Sequence, residues 1–515
     1  MSVPLIRQVA TLLEPSMPNR SRNGNPLHCT IVTTGPNIGL RVDVFRNVIT
    51  VDSINRTTVD HYETARDSKE SNMQIICFED ELVRQLHPIT HARAAYQITC
   101  ASHRLLDWLR LLPGRLSVSV RGYLKEIQSL DEQLEAPAED VLKEDLLLVN
   151  ARLVPTVDLL RSLKGTCASG PSGVLLDEDG SVLVARIAAG EVGSAKAAEP
   201  KSDPMDSGDS FSPFRKTRGP SSKELLEPTG GGVLTASLEH AKTLPQLEMK
   251  DVQAFHWPHE VVAWHMREMP AAMAWRLERG GYTETDDGVF VAEGVSIGKY
   301  AAVDTSDGPI LLDKGVKVGP FCMLAGPVYA GPGTKVIEHA ALKDGVALGH
   351  TVKIGGEVEA SVIEPYTNKQ HHGFLGHSYL GSWINLGAGT CNSDLKNTYG
   401  KINIEYNGNK VSTGMQFLGC IIGDYSKTAI NTSIFTGKVI GVCSMLYGFA
   451  TTNVPSFMNY ARLFGQQSLL PADVMVNTQR RMFSRRSVEQ RPCDTQLIHD
   501  MYQLTNDERE LSEQY

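Results

Sequence analysis

"LDKGVKVGPFCMLAGPVYAGPGTKVIEHAALKDGVALGHTVKI", residues 312–354, carries an apolar or small residue at every sixth position: Leu312, Val318, Leu324, Ala330, Val336, Leu342, Leu348 and Ile354. After a slip of two the spacing resumes at Phe374, Leu380 and Leu386, and it returns at Ile422, Thr428, Ile434 and Ile440. Glycine often follows the aliphatic residue, as in Val318-Gly319, Leu348-Gly349, Leu380-Gly381 and Ile422-Gly423. A six-residue period of this kind marks a parallel β-helix. Each hexad makes one short strand and one corner; the aliphatic residue points into a narrow prism, and glycine or a small residue fits the corner. Stacked coils bury a core that no single repeat buries alone. Nearly all of these residues are therefore scaffold, and function belongs where the pattern breaks. It breaks at "GGEVEASVIEPYTNKQHHG", residues 355–373, and at "SDLKNTYGKINIEYNGNKVSTGMQF", residues 393–417. Loops extruded from a rigid stack are where binding groups usually lie.

Outward from the repeat, the chain divides by composition. Residues 1–72 are polar, with one strand-pairing stretch, "GLRVDVFRNVITVDSI", and Met73 offers an alternative start that would make them a tail. Between 73 and 196, strand-like "MQIICFED" and "DLLLVNARLVP" alternate with helix-like "ASHRLLDWLRLL", which predicts an α/β domain. Residues 197–232, rich in Pro, Ser, Gly and charge, read as a linker, since they bury too little apolar surface to offset ordering entropy. Residues 233–282 read as a helical arm with Pro270 ending or kinking it, 283–455 as the β-helix, and 456–515 as a helical basic tail.

The composition narrows the function classes. A hydrophobic content of 41%, a charged content of 21% and a net charge of -9 are globular values without the basic footprint of a nucleic-acid binder. Nine cysteines without a CxxC pair suggest neither a zinc ribbon nor a disulfide framework, and read as reduced thiols of a cytoplasmic protein. No apolar run approaches the roughly 18 residues that span a bilayer.

Between the two breaks lies "NKQHHGFLGHSYLGSWINLGAGTCN", residues 368–392, with His371, His372 and His377. Three readings compete. His372 and His377 with His339 or His350 would make a metal site; one histidine would act as a general base; or the imidazoles only decorate corners. His371 lies three residues before Phe374 and His377 three before Leu380, so the two occupy equivalent places.

The segment "HHGFLGHSYLGSWINLGAGTCN" resembles the acetyltransferase half of the bifunctional N-acetylglucosamine-1-phosphate uridyltransferase/glucosamine-1-phosphate acetyltransferase family. It is similar also to a bacterial branch of sugar nucleotidyltransferases carrying "NKxHxGFLG" and "NLGAxTxNSxLKNxYG". The resemblance spans about residues 283–450 and implies a left-handed β-helix acyltransferase domain. It makes His371 the base that takes the proton of an amino-sugar phosphate as its amine attacks acetyl-CoA. The backbone N–H of Ala388 would stabilise the oxyanion, and Asn385 and Asn392 would line the substrate pocket. Phe374 stands where the family has tyrosine, and neither the family's arginine nor its lysine contact to the sugar phosphate has a counterpart. Lys353, Lys369, Lys396 and Lys401 are the candidates to substitute.

The stretch "FEDELVRQLHPITHARAA", with Phe78, Glu79, Asp80, Pro88, Thr90 and Arg93, and "NARLVP" resemble the nucleotidyltransferase half of the same branch. That likeness implies Arg93 on a phosphate, Mg²⁺ as the metal if the domain is active, and UTP or dTTP as a substrate, although the glycine-rich phosphate loop is missing. The β-helix resemblance implies a homotrimer with active sites between subunits. The arginines of "TQRRMFSRRSVEQR" read as a solvated face or as a contact to the phosphates of coenzyme A. Two alternatives stand beside acetyl transfer: a sugar-1-phosphate nucleotidyltransferase whose β-helix serves assembly, and a non-catalytic sugar-nucleotide-binding scaffold.

Overall fold

The computed structural model describes residues 73–168, 170–192, 221–406, 408–461 and 466–513, with three further strands near the N-terminus. Arg41–Phe45 and Val48–Asp52 pair antiparallel, as the strand-pairing stretch predicts, His28–Cys29 adds a third antiparallel strand, and all three belong to a unit of their own, Met1–Lys69. Most of the expected linker lies outside the described residues. From residue 221, however, the chain is helical again at Ser222–Leu226 and Gly231–Ala241.

In the second unit the α/β domain is built on five strands, β1 (Met73–Phe78), β2 (Arg115–Ser119), β3 (Asp145–Asn150), β4 (Gly173–Leu176) and β5 (Val182–Ile187), in the order β2-β1-β3-β5-β4. Strand β1, inside the sheet, is buried throughout and runs parallel to both neighbours; its one polar side chain, Gln74, donates to Ser117 Oγ at 2.9 Å. The helix Gly231–Ala241 seals one face, with Val233, Leu234 and Ala241 against Ile76, Phe78, Leu146 and Leu148. The first half of the expected arm is therefore part of this domain's core.

The second half is one helix, α1 (Pro258–Arg279). Proline fits its first turn, and the Glu260 carboxylate turns back to accept from the N–H groups of His256 and Trp257 at 2.7 and 3.3 Å. Pro270 does not end it. That residue is on the exposed side, where the stranded Met266 carbonyl can be hydrated. The buried stripe Met269, Ala272 and Met273 packs against Leu311, Tyr329 and Ala347, the outward residues of one β-helix face.

The β-helix is the hexad made solid. Ile310, Val328 and Val346 stack in parallel register, 18 residues or three hexads apart, and so do Val318 and Val336. The slip after Ile354 is taken up by short coils: Lys353 pairs with Asn368, 15 residues on, and Asn368 with Asn385, 17 on. Two inward positions therefore differ from the simple count. Leu375, 2% exposed, points inward where the spacing predicts Phe374, which is only half-buried. Lys369 pairs beside the inward Ile354, and a lysine occupies the prism. Corners also depart from the small-residue rule: Tyr300, Phe321, His339, Tyr366, His377 and Trp383 all have positive φ. Several stack from coil to coil, Phe321 on His339 and Tyr366 on Trp383 at 4.2 Å. Stacking offsets part of the left-handed backbone cost.

The extruded segment after residue 392 forms a hairpin, Asn403–Tyr406 with Asn409–Ser412, whose Tyr406 stacks on Trp257 at the start of α1. Past Met458–Ala461, the last strand of the stack, the tail is helical as expected: α2 (Ala472–Ser484), α3 (Pro492–Leu504) and a short terminal helix, Asn506–Glu513. Their apolar faces, Met475, Phe483, Leu497 and Met501, join the core that also contains Trp108 and Leu124 of the α/β domain.

Candidate active site

The His371 corner is held from inside. The buried ammonium of Lys369 donates to the carbonyls of Gly355 (2.8 Å), His371 (3.1 Å) and Gly373 (2.7 Å). It faces no ligand space, so the expected substrate contact by Lys369 is replaced by a positioning role. Burial lowers its pKa to about 8. The His371 ring is exposed, and Gln370 Nε2 donates to its Nε2 at 3.2 Å.

One coil on, the Asn368–Asn385 pairing brings Ala388 to the same corner as His371. The link is direct, because Gly389 N–H donates to the His372 carbonyl at 3.0 Å. The N–H groups of Gly387 and Gly389 are both engaged, while among the described residues no backbone carbonyl accepts from Ala388. Asn385 is exposed on the coil face before this corner, and the Phe374 N–H donates to Cys391 Sγ at 3.4 Å. Asn392 is a correction. Its amide is buried in the stack, where Oδ1 accepts from Gly376 N at 2.9 Å and Nδ2 donates to Gly376 O at 3.0 Å. It completes a ladder rung inside the stack.

His377 carries the surprise. Its Nδ1 lies 2.9 Å from Asp394 Oδ2 and its ring stacks on Phe417, both supplied by the ends of the extruded segment. Ligand-capable atoms of Glu359, His377 and Asp394 lie within 4.8 Å of one another. Motif spacing assigns His377 no chemistry, and no local signal connects it to an acid 17 residues away; only the coil period could have done so. Among the described residues the metal-capable group is Glu359, His377 and Asp394, with one histidine, so no all-histidine set is assembled there.

On the Asn385 face lies a cavity of about 300 Å³, floored by Lys353, Asn368, Asn385 and Lys427 and closed by Arg485 and Arg486 after α2. Burial lowers the Lys427 pKa to about 8. Burial also lowers those of Lys353 and Arg486, helped by neighbouring cations. Of the arginine-rich tail, these two arginines meet the β-helix, Arg486 donating to Asn368 Oδ1 at 2.6 Å.

In the α/β domain the motif residues serve the fold. Glu79 is paired with Arg121 at 2.9 Å, and Asp80 with Arg152 and Asn150 at 2.8 and 2.7 Å. A Mg²⁺ ion does not fit these two acids, because it would have to displace a buried arginine from each. Arg93 is not free for a phosphate: its guanidinium bonds Asp424, lies 3.2 Å from Glu364, and donates to Ser382 Oγ at 3.0 Å, all on the β-helix.

These two parts define the class: a nucleotidyltransferase-like α/β domain joined to a hexapeptide-repeat β-helix. Residues 75–276 match a family model described as sugar nucleotidyl transferase, which runs through the expected linker and nearly to the end of α1. The chain is related to a bifunctional sugar-1-phosphate nucleotidylyltransferase/acetyltransferase of Sulfurisphaera tokodaii, 33% identical over 103 residues, 20% of this chain and 26% of that protein. It is also 31% identical over 115 residues to the bifunctional protein GlmU of Cupriavidus pinatubonensis, 22% of this chain and 24% of that one. The chain thus spans about a quarter of the length of these curated relatives. Among solved structures, a UDP-N-acetylglucosamine acyltransferase of Francisella novicida matches 39% of this chain and 66% of its own, at 15% identity and a TM-score of 0.21. Among the described residues no helix is long and apolar enough to cross a membrane.

Proposed function

We propose that the chain is a transferase that moves the acetyl group of acetyl-CoA to the amine of an amino-sugar phosphate at the His371 corner. The imidazole takes a proton from the amine as nitrogen attacks the thioester carbonyl. The C–N bond forms, the oxyanion is met by the Ala388 N–H, and the C–S bond then breaks as the imidazolium returns its proton to the sulfur, releasing the coenzyme A thiol. Asn385 and Phe374 orient the acceptor. The observation that carries this reading is the juxtaposition of His371 and Ala388 on successive coils, tied by the Gly389 N–H to the His372 carbonyl. A homotrimer is part of the proposal. On the β-helix face that carries Met323, Phe374 and Phe449, Met323 and Phe449 are 36% and 45% exposed, apolar surface that a second copy of the chain would cover.

A second reading is favoured by the Asp394 contact: His377 would be the base, its tautomer set by the carboxylate so that Nε2 accepts the proton. Nucleotidyl transfer by the α/β domain is supported by the family match over residues 75–276. It is weakened by the internal pairing of Glu79, Asp80 and Arg93.

One set of assays separates these. Acetyl-CoA consumption with glucosamine 1-phosphate, and pyrophosphate release with sugar phosphates plus UTP or dTTP, are measured on wild type, His371→Ala and His377→Ala of known native mass. Loss of a general base costs about 10²–10⁴-fold in rate, and we expect that loss in His371→Ala. Transfer intact in His371→Ala but lost in His377→Ala would favour the second base. Pyrophosphate release alone would favour the nucleotidyltransferase, neither activity the scaffold, and full activity in a monomer would remove the trimer.

A further inference from the structure

The cavity beside Asn385 holds more positive charge than the fold uses. Its lining contributes four cations, Lys353 and Lys427 from two coils and Arg485 and Arg486 from the end of α2, and no carboxylate. Among the described residues none of the four is ion-paired. Lys427 donates to the Tyr425 carbonyl at 3.1 Å and Arg486 to Asn368 Oδ1, both neutral acceptors. A helix C-terminus favours cations, which accounts for the arginines but not for two lysines aimed from the coils. Like charges around a void of about 300 Å³ repel through a medium less polar than water, and they go uncompensated unless an anion enters. The wall is rigid: Tyr366 and Trp383 are stacked at 4.2 Å, and Phe483 of α2 covers Trp383 at 4.4 Å. Tyr366 and Trp383 are already stacked on one another, and beside them the lining offers a ligand charge and amides (Asn368, Asn385). Two adjacent guanidinium forks with two ammonium groups suit the several oxygens of a phosphate better than the single edge of a carboxylate. Gln370 also lines the cavity and reaches His371 at 3.2 Å, so the cavity opens beside the proposed base.

We propose that this cavity is the binding site for the phosphate group of a phosphate-bearing ligand, gripped between the coil lysines Lys353 and Lys427 and the arginines Arg485 and Arg486 that follow α2. Its use by the acetyl-transfer reaction rests on the reading above; the binding itself does not. The phosphate belongs either to a sugar phosphate or to a nucleotide, the phosphate end of coenzyme A included.

Isothermal titration of the full chain tests this with glucosamine 1-phosphate, UDP and adenosine 3′,5′-bisphosphate as separate arms. Wild type is expected to bind at least one saturably, and the arm that binds identifies the source. Affinity should fall at least tenfold in R485Q/R486Q and independently in Lys353→Gln, a coil variant that leaves α2 untouched. The remote exposed Lys299→Gln, with unchanged affinity, is the control for charge alone. His371→Ala should keep the binding whether or not acetyl transfer is lost, which separates failure of this inference from failure of the base. No saturable binding of any probe, or equal binding by wild type, R485Q/R486Q and Lys353→Gln, would overturn it.

Discussion

A lysine inside a prism of aliphatic side chains is stable only because three carbonyls meet its ammonium group, those of Gly355, His371 and Gly373. Charged hydrogen bonds of this kind contribute about 1.5–3 kcal/mol, and leaving the acceptors without a donor costs about as much. Lys369→Met should therefore destabilise the chain by about 1–3 kcal/mol in denaturant unfolding, even though methionine suits the prism by size. The pH dependence gives a second check. Burial holds the folded pKa at about 8, below the ordinary value of 10.5, so between these values the unfolded chain binds more protons and stability rises with pH. Lys427 adds a similar slope. The variant should lose the Lys369 share of the rise between about pH 8 and 10.5, and an unaltered slope would contradict the assignment. His371, Ala388 and Asn385 became candidates through a resemblance carried by one contiguous motif, which is a local property of the chain. The role of Lys369 was not legible, because only coil stacking shows that its side chain turns inward.

At the scale of an element, the coil is the unit, and its corners decide where the histidines stand. Gly373 has φ of +131°, and a Cβ built there would lie 2.1 Å from the Thr390 carbonyl oxygen of the next coil. Gly373→Ala should thus cost about 1–3 kcal/mol in thermal or denaturant unfolding, from backbone strain and a clash that backbone cannot relieve cheaply. Gly165→Ala is the contrast, since it lies within the helix Val157–Ala168 with nothing within 4 Å of its Cβ. It should be neutral or stabilising by up to about 1 kcal/mol. Equal losses at both sites would show that corner geometry is not what the glycine supplies. The period of six was readable in the sequence because aliphatic residues repeat. The 15- and 17-residue coils were not, because a shortened coil moves inward positions without changing residue type, and Leu375 rather than Phe374 fills the prism.

Across the whole molecule, Arg93 joins the α/β domain to the stack. Its guanidinium, 9% exposed, meets Glu364 and Asp424, and Glu364 also accepts from the Thr99 backbone N–H and hydroxyl, each at 2.9 Å. Burial pushes the Asp424 carboxyl up, against the pull of Arg93. Arg93→Met would leave two buried carboxylates unpaired and should cost about 3–5 kcal/mol in unfolding, because truncating one partner of a buried pair strands the other. Neutralising the acids in the same background, as R93M/E364Q/D424N, should recover much of that loss; no recovery would mean that Arg93 acts through packing. Sequence alone determined the β-helix and the α/β class of the first domain, and it marked the His371 corner as a candidate, since hydrophobic period and motif spacing are properties of near neighbours. Only the tertiary structure decided that Arg93 clamps two domains, that His377 has an acid beside it, and that four cations share one cavity. Each of those depends on residues brought together by coil stacking and domain packing from 17 to more than 300 positions apart, a distance over which no local pattern carries information.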